Sequence, residues 1–308
     1  MTSRATPSFE ALRARLFGVA YRMLGDAHDA EDVAQEALLR WQTAERDSVE
    51  SAEGWLVAVT TRLSIDRLRR AATERAAYVG PWLPEPIATA DTLPDREVEL
   101  ASDLSMAFLV LLERLAPEER AAFLLRDVFD TGYADIARTL EKSEPAVRQL
   151  VRRARERVRS ERARFASPPG ARERLLHRFL AALEADDQEA LLAVFAEDAT
   201  FTSDGGGEAP AMRRTVVGAD RVVRALLGFQ RQGRGLVMHR VAALNGTVAI
   251  VTYLGDRVAF ATFLEGDGEH VAAVYRVLNP AKLRHVGGEV VEWRVRPQAA
   301  ERGTRDRD

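Results

Sequence analysis

The sequence contains no cysteine, and this absence excludes several kinds of chemistry. A chain without thiols has no disulfide framework, no thiolate nucleophile and no zinc site of the cysteine type. It also has no apolar run near the ~20 residues that a membrane-spanning helix needs. Residues 1–10 are polar and lack the cationic start and apolar core of a secretory signal. We therefore expect a cytoplasmic protein with no membrane partner.

Lysine is nearly absent as well, because Lys142 and Lys282 are the only lysines in the chain. Arginine supplies the remaining positive side chains, and its planar guanidinium suits bidentate contacts to phosphate or guanine. A codon-biased genome would produce the same composition, so both explanations stay open.

The 308 residues are 46% hydrophobic and 30% charged. This mixture excludes a wholly disordered, collagenous or membrane-embedded chain, and the length predicts two or three folded units. A net charge of −3 argues against a nucleic-acid partner, but the charge is segregated along the chain. Residues 142–164 hold nine basic and three acidic side chains, whereas residues 81–102 hold one basic and five acidic ones. The basic segment is therefore a candidate for contact with nucleic acid.

Apolar residues recur at helical spacing through the first part of the chain. The pattern predicts helices over residues 9–24, 29–41 and 54–78, and Gly25 ends the first of them. The second helix is acidic in its first turn, whereas the third begins apolar and ends basic. Three such helices can close one small bundle.

Residues 80–86 contain three prolines and cannot continue a helix. They are predicted to form an extended linker that carries two large apolar side chains, Trp82 and Leu83. A passive spacer has little reason to display such side chains. They either take part in a regulatory contact or simply attach the linker to a neighbouring domain.

Helices are predicted again over residues 104–115 and 117–130, followed by a short helix at 133–140 and a longer one from about residue 144. The short helix, tight turn and long basic helix have the spacing of a helix-turn-helix unit, and Ser143 suits the cap of the long helix. The buried stripe of the long helix is predicted to contain Val147, Leu150, Val151, Ala154 and Val158. The outward face then carries Arg148, Gln149, Arg152, Arg153 and Arg155, all able to bind phosphates or base edges.

The chain changes character after the Ser-Pro-Pro-Gly segment at residues 167–170. Helices are predicted at residues 172–185, 187–195 and 219–230, and strands at 237–244, 247–254, 258–264, 270–278 and 290–295. Asn245 and Gly246 form the pair most favoured in a type I′ hairpin turn. Helices followed by an antiparallel sheet predict an α+β domain. The charged end of the chain is expected to be a frayed tail.

Two parts of the first half resemble bacterial sigma factors of the extracytoplasmic-function (ECF) type. Residues 29–41, DAEDVAQEALLRW, are similar to the helix that binds core RNA polymerase in that family. Trp55-Leu56, Ile65-Asp66 and Leu68-Arg69-Arg70 resemble the following helix, which handles the −10 promoter element. Arg62 stands where the family usually has an asparagine. Residues 115–155 resemble the C-terminal promoter domain, whose helix-turn-helix reads the −35 element.

The rest of the chain is similar to the SnoaL-like fold, a cone of curved antiparallel sheet and helices. One ECF subgroup, which includes sigma J, carries this extension, and there it tunes sigma activity in place of a separate anti-sigma protein. The matching signatures are WLPEP at residues 82–86, DGGG at 204–207 and NPAKL at 279–283. The resemblance implies two all-α domains, the second a helix-turn-helix, followed by an α+β SnoaL-like domain. The implied bounds are 1–80, a linker at 81–102, then 103–166, 170–297 and a disordered tail at 298–308.

The resemblance also implies partners and site residues, namely promoter DNA and the β′ clamp and β flap of core RNA polymerase. The polymerase-binding residues would be Glu31, Asp32, Gln35, Glu36 and Leu39. The −10 contacts would come from Arg62, Asp66, Arg67, Arg69 and Arg70, and the −35 contacts from the five outward residues of the long basic helix. The regulatory contact would join Trp82, Leu83, Pro84, Glu85 and Pro86 to Asp204, Gly205, Gly206, Gly207, Asn279, Pro280 and Lys282. No catalytic residue, cofactor or metal is expected.

Two other functions stay open. The last domain could hydrate or cyclise a small apolar substrate with Asp204, Asp256 or a histidine, or its pocket could bind a small ligand. His239 and His270 lie on predicted strands, where a packing role competes with a pocket role. A ligand-sensing helix-turn-helix repressor is the third hypothesis, but it conflicts with the polymerase-binding helix. The glycine triplet at residues 205–207 could cradle an anion or be an ordinary loop.

Overall fold

The computed structural model describes residues 9–45, 49, 51–88, 104–162, 165, 167 and 170–286. Three predicted segments lie outside the described residues: the linker from residue 89 to 102, the strand at 290–295 and the tail at 298–308. No helix in the described part of the chain is long and apolar enough to cross a membrane.

Three helices form the first unit, as predicted: α1 (Phe9–Leu24), α2 (Ala27–Thr43) and α3 (Ala52–Ala76). Asp26 caps α2 by accepting a hydrogen bond from the backbone of Asp29, and Ser51 caps α3 in the same way through Gly54. These caps satisfy backbone N–H groups that have no partner in the first helical turn. Gly25 ends α1 with φ of 67°, a left-handed conformation that glycine adopts without strain.

The second unit has four helices: α4 (Met106–Glu113), α5 (Pro117–Phe123), α6 (Tyr133–Leu140) and α7 (Glu144–Arg162). Helix α5 continues as one π-helical turn, Leu124–Val128. The hydroxyl of Ser143 accepts a hydrogen bond from the backbone of Ala146 at the start of α7, which confirms the predicted cap. The predicted stripe of α7 is buried at all five positions.

The two helical units share one hydrophobic core. Leu16 and Leu56 of the first unit belong to the same buried cluster as Leu109, Phe123 and Val151 of the second. Helix α3 packs against both α5 and α6. The sequence patterns predicted two separate helical domains, because periodicity within one helix carries no information on packing between such units.

The C-terminal domain contains α8 (Ala171–Glu184), α9 (Gln188–Leu192), α10 (Ala219–Gly233) and a six-stranded sheet in the order β2-β1-β6-β5-β4-β3. The strands are β1 (Phe195–Asp204), β2 (Val216–Val217), β3 (Val237–Leu244), β4 (Thr247–Leu254), β5 (Arg257–Gly266) and β6 (Val271–Val277). A short 3₁₀-helix, Pro280–Leu283, follows. The predicted α+β class is confirmed. Both residues of the β3–β4 turn, Asn245 and Gly246, have positive φ, as a type I′ turn requires.

Three predictions about this domain are wrong. The helix predicted at residues 187–195 ends at Leu192, and a strand missing from the prediction begins at Phe195. The sheet is mixed and not wholly antiparallel, because β1 pairs in parallel with β6. His270 lies in the bend before β6, outside any strand. The sequence pattern did not predict β1, because acidic residues, which are rare in strands, interrupt its alternation of apolar and polar residues.

Both faces of this sheet are covered. On one face, residues such as Val274 pack against Phe179 of α8 and Leu226 of α10. On the other face, neighbours such as Tyr275 belong to a cluster that includes Leu83 of the linker and Met106 of α4. The linker and the second helical unit therefore form part of the core of the C-terminal domain.

Candidate functional site

Helix α2 presents its predicted polymerase-binding residues to solvent. All five, Glu31, Asp32, Gln35, Glu36 and Leu39, are exposed. The Leu39 side chain is 54% exposed and adds an apolar contact surface to this acidic face. Two of the carboxylates have only exposed ion pairs, Arg13–Glu31 and Arg40–Glu36, and such pairs restrain a side chain weakly.

The predicted −10 residues on α3 do not form an open cationic patch. Arg62 donates from Nε to the carbonyl oxygen of Thr139 (2.8 Å) and from Nη2 to that of Arg138 (2.9 Å). Arg69 pairs with Glu118 at 2.9 Å, again across the boundary between the helical units.

The other members of this set have partners within the first unit. Arg67 is paired with Asp29 and lies 3.6 Å from Asp32. Asp66 lies 3.5 Å from Arg69, and Arg70 donates only to the backbone of its own helix. Arg67 has a pKa above its ordinary value because its guanidinium donates a hydrogen bond to the carboxylate of Asp29.

The predicted −35 residues on α7 are exposed but differ in their partners. Arg153 binds Glu119 at 3.0 Å, and Arg155 binds both carboxylate oxygens of Asp127. The Arg148 guanidinium lies 4.1 Å from the ring centroid of Tyr133. Arg152 is 70% exposed, and its one ionic partner among the described residues is Glu156, one turn along, at 3.6 Å. Gln149 is exposed beside it.

Asp204, at the end of β1, binds the linker from the C-terminal domain. Its carboxylate accepts hydrogen bonds from the backbone N–H of Leu83 (2.9 Å) and from the hydroxyl of Tyr78 (2.5 Å). Lys282 lies 2.7 Å from the same carboxylate and also donates to the carbonyl oxygen of Leu83 (2.5 Å). The backbone N–H of Gly206 completes the set. Asp204 is fully buried, so these donors replace the water that an ionised carboxylate would otherwise bind.

Aromatic side chains enclose this buried pair. The Lys282 ammonium lies 4.0 Å from the ring centroid of Trp82, and the Arg75 guanidinium lies 3.8 Å from the same ring. Burial lowers the pKa of Lys282, and the charge of Asp204 opposes that shift. Burial and the hydrogen bond to Asp204 raise the pKa of Tyr78 above its ordinary value.

The rest of the WLPEP segment is bound by α1 and α2. A Cβ on Gly25 would lie 2.8 Å from the Trp82 ring, so only glycine lets the ring approach so closely. The Glu85 carboxylate accepts a hydrogen bond from the backbone N–H of Ala27 (2.8 Å), and burial raises its pKa. Pro84 and Pro86 are buried on either side of it.

The glycine loop packs closely and has no sign of an anion cradle. A Cβ on Gly206 would lie 2.4 Å from the Asn279 amide nitrogen, and one on Gly205 would lie 2.3 Å from the carbonyl oxygen of Ala209. Gly207 packs in the same way near Val79. Asn279 caps the 3₁₀-helix, while Pro280, in its first turn, is exposed. The structure thus brings the three signature segments together.

The sequence did not predict the contacts of Tyr21, Tyr78 and Asn245 at the junction where the helices, the linker and the C-terminal domain meet. Tyr78 bridges Asp204 and Asn279, whose amide donates to its hydroxyl at 2.9 Å. Asn245, predicted only as a turn residue, donates to the hydroxyl of Tyr21 and accepts from the backbone N–H of Ile87. The turn preference of asparagine gives no hint of these contacts, which join residues far apart in the chain.

The residues proposed for catalysis lie apart from one another. Asp204 is occupied by the linker, and Asp256 is exposed in the β4–β5 turn. His239 lines a cavity of about 110 Å³ between the sheet and its helices, where it contacts Thr252 and Gln230. His270 is exposed.

Comparison with known proteins agrees with this arrangement. The model of Sigma-70 region 2 matches residues 9–74, and that of Sigma-70 region 4 matches residues 105–158. The chain is 38% identical to the ECF RNA polymerase sigma factor SigJ of Mycobacterium tuberculosis, over 94% of this chain and 96% of that protein. It is 30% identical to the probable ECF RNA polymerase sigma factor SigI of the same species, over 92% and 96%.

The crystal structure of Mycobacterium tuberculosis SigJ matches with a TM-score of 0.73 at 34% identity and covers 92% of this chain and 99% of that one. The match therefore extends through the α+β domain as well as both helical units. The resemblance stated from the motifs is confirmed, and the chain belongs to the ECF RNA polymerase sigma factors.

Proposed function

We propose that this sigma factor binds the β′ clamp of core RNA polymerase through the exposed face of α2 and the β flap through its second helical unit. In this proposal α3 handles the −10 element within a domain at residues 1–80. Helix α7 reads the −35 element within a second domain at residues 103–166. The domain at residues 170–297 regulates both through the linker at 81–102. Exposure of all five α2 residues supports the first contact, and the exposed arginines of α7 support the last.

The contact between Asp204, Lys282 and Leu83 is the single observation that carries the regulatory part. Its two bonds to the linker involve the backbone N–H and carbonyl of Leu83, so they fix the path of the linker. The Leu83 side chain also enters the core of the C-terminal domain. The described part of the linker is therefore bound along its length.

The contacts of Arg62 and Arg69 give this restraint a functional consequence. Both side chains bind groups of the second helical unit, so DNA and that unit compete for them. We propose that this closed arrangement is the resting state of the free protein, and that binding to polymerase separates the helical units. The C-terminal domain then limits how far they separate.

In vitro transcription with core RNA polymerase tests this proposal. Removing the chain after residue 167 is the simplest variant, but it would expose Leu83 and Met106, which are buried against the sheet. Lys282→Met is sharper, because it breaks one buried ion pair within the full chain. We expect promoter-specific initiation from the unmodified protein and an altered transcript yield from Lys282→Met. Arg224→Met is the matched control, since Arg224 is exposed and donates only to the backbone of its own helix.

A normal transcript yield from Lys282→Met, together with faster hydrogen exchange at the Leu83 amide, would show that the linker contact has no regulatory role. Failure of the unmodified protein to bind polymerase would contradict the assignment of α2.

We also propose that the C-terminal domain is noncatalytic. Asp204 is enclosed by the linker, and Asp256 and His270 are exposed and do not line the cavity. The hydratase or cyclase alternative is not favoured, because none of these three residues shares the cavity with His239.

A further inference from the structure

The cavity in the C-terminal domain holds a buried positive charge that has no counterion among the described residues. Arg276, on β6, lines this cavity of about 110 Å³ and is 4% exposed. Among the residues that the structure describes, no aspartate or glutamate lines the cavity. A buried charge is costly unless it is paired, so an unpaired guanidinium in a cavity indicates a missing anion.

The hydrogen bonds of Arg276 are also incomplete. Its Nε donates to the hydroxyl of Thr262 at 3.0 Å, but its four Nη–H groups have no acceptor within the described ranges. Burial lowers the pKa of Arg276 to about 10, and no carboxylate of the described residues opposes that shift. Even so, the side chain keeps its charge at neutral pH, and a planar guanidinium binds a carboxylate through two parallel hydrogen bonds.

Three phenylalanine rings lie close to the guanidinium group of Arg276 inside the cavity. Its central carbon lies 4.4 Å from the ring centroid of Phe260, 5.3 Å from that of Phe201 and 5.5 Å from that of Phe229. Rings near the guanidinium supply weak attraction to its positive charge and leave its N–H edges for an acceptor. They also exclude water, which strengthens any charged contact made there.

The other polar groups of the cavity are already paired with each other. His239 contacts the hydroxyl of Thr252 through Nδ1 (2.9 Å) and the side-chain oxygen of Gln230 through Nε2 (3.2 Å). Nε2 therefore faces the side-chain oxygen of Gln230, and Nδ1 faces the Thr252 hydroxyl, which can donate or accept. Burial and the charge of Arg276 lower the pKa of His239, so the ring is neutral and adds no second charge.

We propose that this cavity binds a small organic monocarboxylate, with its carboxylate on the Nη–H groups of Arg276 and its apolar body against the surrounding side chains. The apolar wall contains Phe179, Leu183, Leu226, Val237 and Ile250. A single cation matches a single negative charge, and the apolar wall excludes a strongly hydrated ion such as phosphate. This inference does not depend on the regulatory role of the linker.

Titration calorimetry of the full chain with benzoate and butyrate tests the proposal, with benzamide and butyramide as neutral analogues of similar shape. Charge-assisted hydrogen bonds predict that one of the carboxylates binds at least about tenfold more tightly than its amide. Equal binding of acid and amide overturns the proposal. Binding of neither carboxylate at millimolar concentration also overturns it, as does equally tight binding of inorganic phosphate.

Variants of Arg276 test whether its guanidinium binds the carboxylate. Arg276→Met is expected to reduce carboxylate affinity at least about tenfold, whereas Arg276→Lys retains part of it because an ammonium lacks the planar pair of donors. Arg240→Met is the control, because Arg240 stacks on Tyr253 and does not line the cavity. Unchanged affinity in a folded Arg276→Met protein overturns the assignment. If that variant fails to fold, the comparison of acid and amide in the unmodified protein still decides the proposal.

Discussion

Asn245 donates a hydrogen bond from its side-chain amide to the hydroxyl oxygen of Tyr21 (2.6 Å), although 224 positions separate them in the chain. The Tyr21 hydroxyl in turn donates to the carbonyl oxygen of Glu85 (2.6 Å). The backbone of Ile87 makes two further hydrogen bonds with Asn245. Its N–H donates to the side-chain oxygen of Asn245 (3.1 Å), and its carbonyl oxygen accepts from the backbone N–H of Asn245 (2.9 Å). The tip of a hairpin in the C-terminal domain therefore holds both the first helix and the linker.

Asn245→Gly tests the side-chain contacts without disturbing the turn. Glycine adopts the positive φ of this position readily, but it lacks the side chain that makes both hydrogen bonds. We expect a loss of roughly 1–3 kcal/mol in the free energy of unfolding. Hydrogen exchange at the Ile87 amide should become faster, while the amides of β3 and β4 stay protected. If the Ile87 amide keeps its protection, Asn245 does not hold the linker.

Gly206→Ala is expected to disrupt the loop at Asp204. Gly206 has φ of 62°, and a methyl group there would lie 2.4 Å from Asn279. The left-handed conformation alone costs an alanine roughly 1–2 kcal/mol. Urea denaturation measures the loss. The control is Gly228→Ala on α10, where the added Cβ meets nothing within 4 Å and stability should rise by roughly 0.5–1 kcal/mol.

Arg62→Ala is expected to loosen the closed arrangement of the two helical units, because it removes two hydrogen bonds to the end of α6. Arg70→Ala is its control on the same helix, since Arg70 donates only to the backbone of Asp66. The natural absence of cysteine allows one dye on α2 and one on α7 through two introduced cysteines. Energy transfer in the free protein should fall for Arg62→Ala only, and equal transfer in both variants would contradict the closed resting state.

Arg152→Ala should weaken promoter binding by about 1–3 kcal/mol and relax sequence specificity if the side chain reads a base. If it binds a phosphate, the loss should be similar for all sequences and the salt dependence of binding should fall. Stability should not change, because the contact of Arg152 with Glu156 is exposed. Arg155→Ala differs because it also removes a bidentate pair with Asp127. Fluorescence anisotropy of the holoenzyme with promoter DNA measures both effects, and unchanged affinity in Arg152→Ala would remove it from the −35 contact.

Glu85→Gln tests the pH dependence of linker binding. Burial raises the pKa of Glu85 in the folded chain, so the folded state binds its proton more strongly than the unfolded state does. The stability from this group is full below the ordinary glutamate pKa of about 4.3 and is lost as the pH rises through the folded value. Glu85→Gln keeps an acceptor for Ala27 and should flatten that decline. Urea denaturation at several pH values measures it, and exposed Glu184→Gln should leave the slope unchanged.

Local sequence patterns predicted much of the fold and part of the contact between the linker and the C-terminal domain. Helical periodicity predicted α1, α3 and α7, and the Asn-Gly pair predicted the β3–β4 hairpin because its turn conformation depends on only two residues. Prolines predicted the extended linker. The likeness of three short segments predicted a contact between the linker and Asp204 and Lys282, and Leu83 makes hydrogen bonds with both.

Contacts between distant parts of the chain were harder to predict. Parallel pairing of β1 with β6 depends on a connection through most of the domain, and no short pattern records it. The partners of Arg62 and Arg153 are equally remote, so the sequence indicates a cationic helix face but not whether each charge is paired. Leu83 shows the same limit, since its apolar character predicted burial and not the sheet against which it packs.

Because Lys282 is buried between Asp204 and the linker, chemical labelling of its amine can report when the linker leaves the C-terminal domain. Its side chain is 7% exposed and bound to Asp204, whereas the other lysine, Lys142, is 32% exposed. An amine-reactive reagent should therefore modify Lys142 readily in the folded chain and reach Lys282 only when the linker leaves the C-terminal domain. With only two lysines in the chain, the ratio of the two modified peptides measures how often that departure occurs.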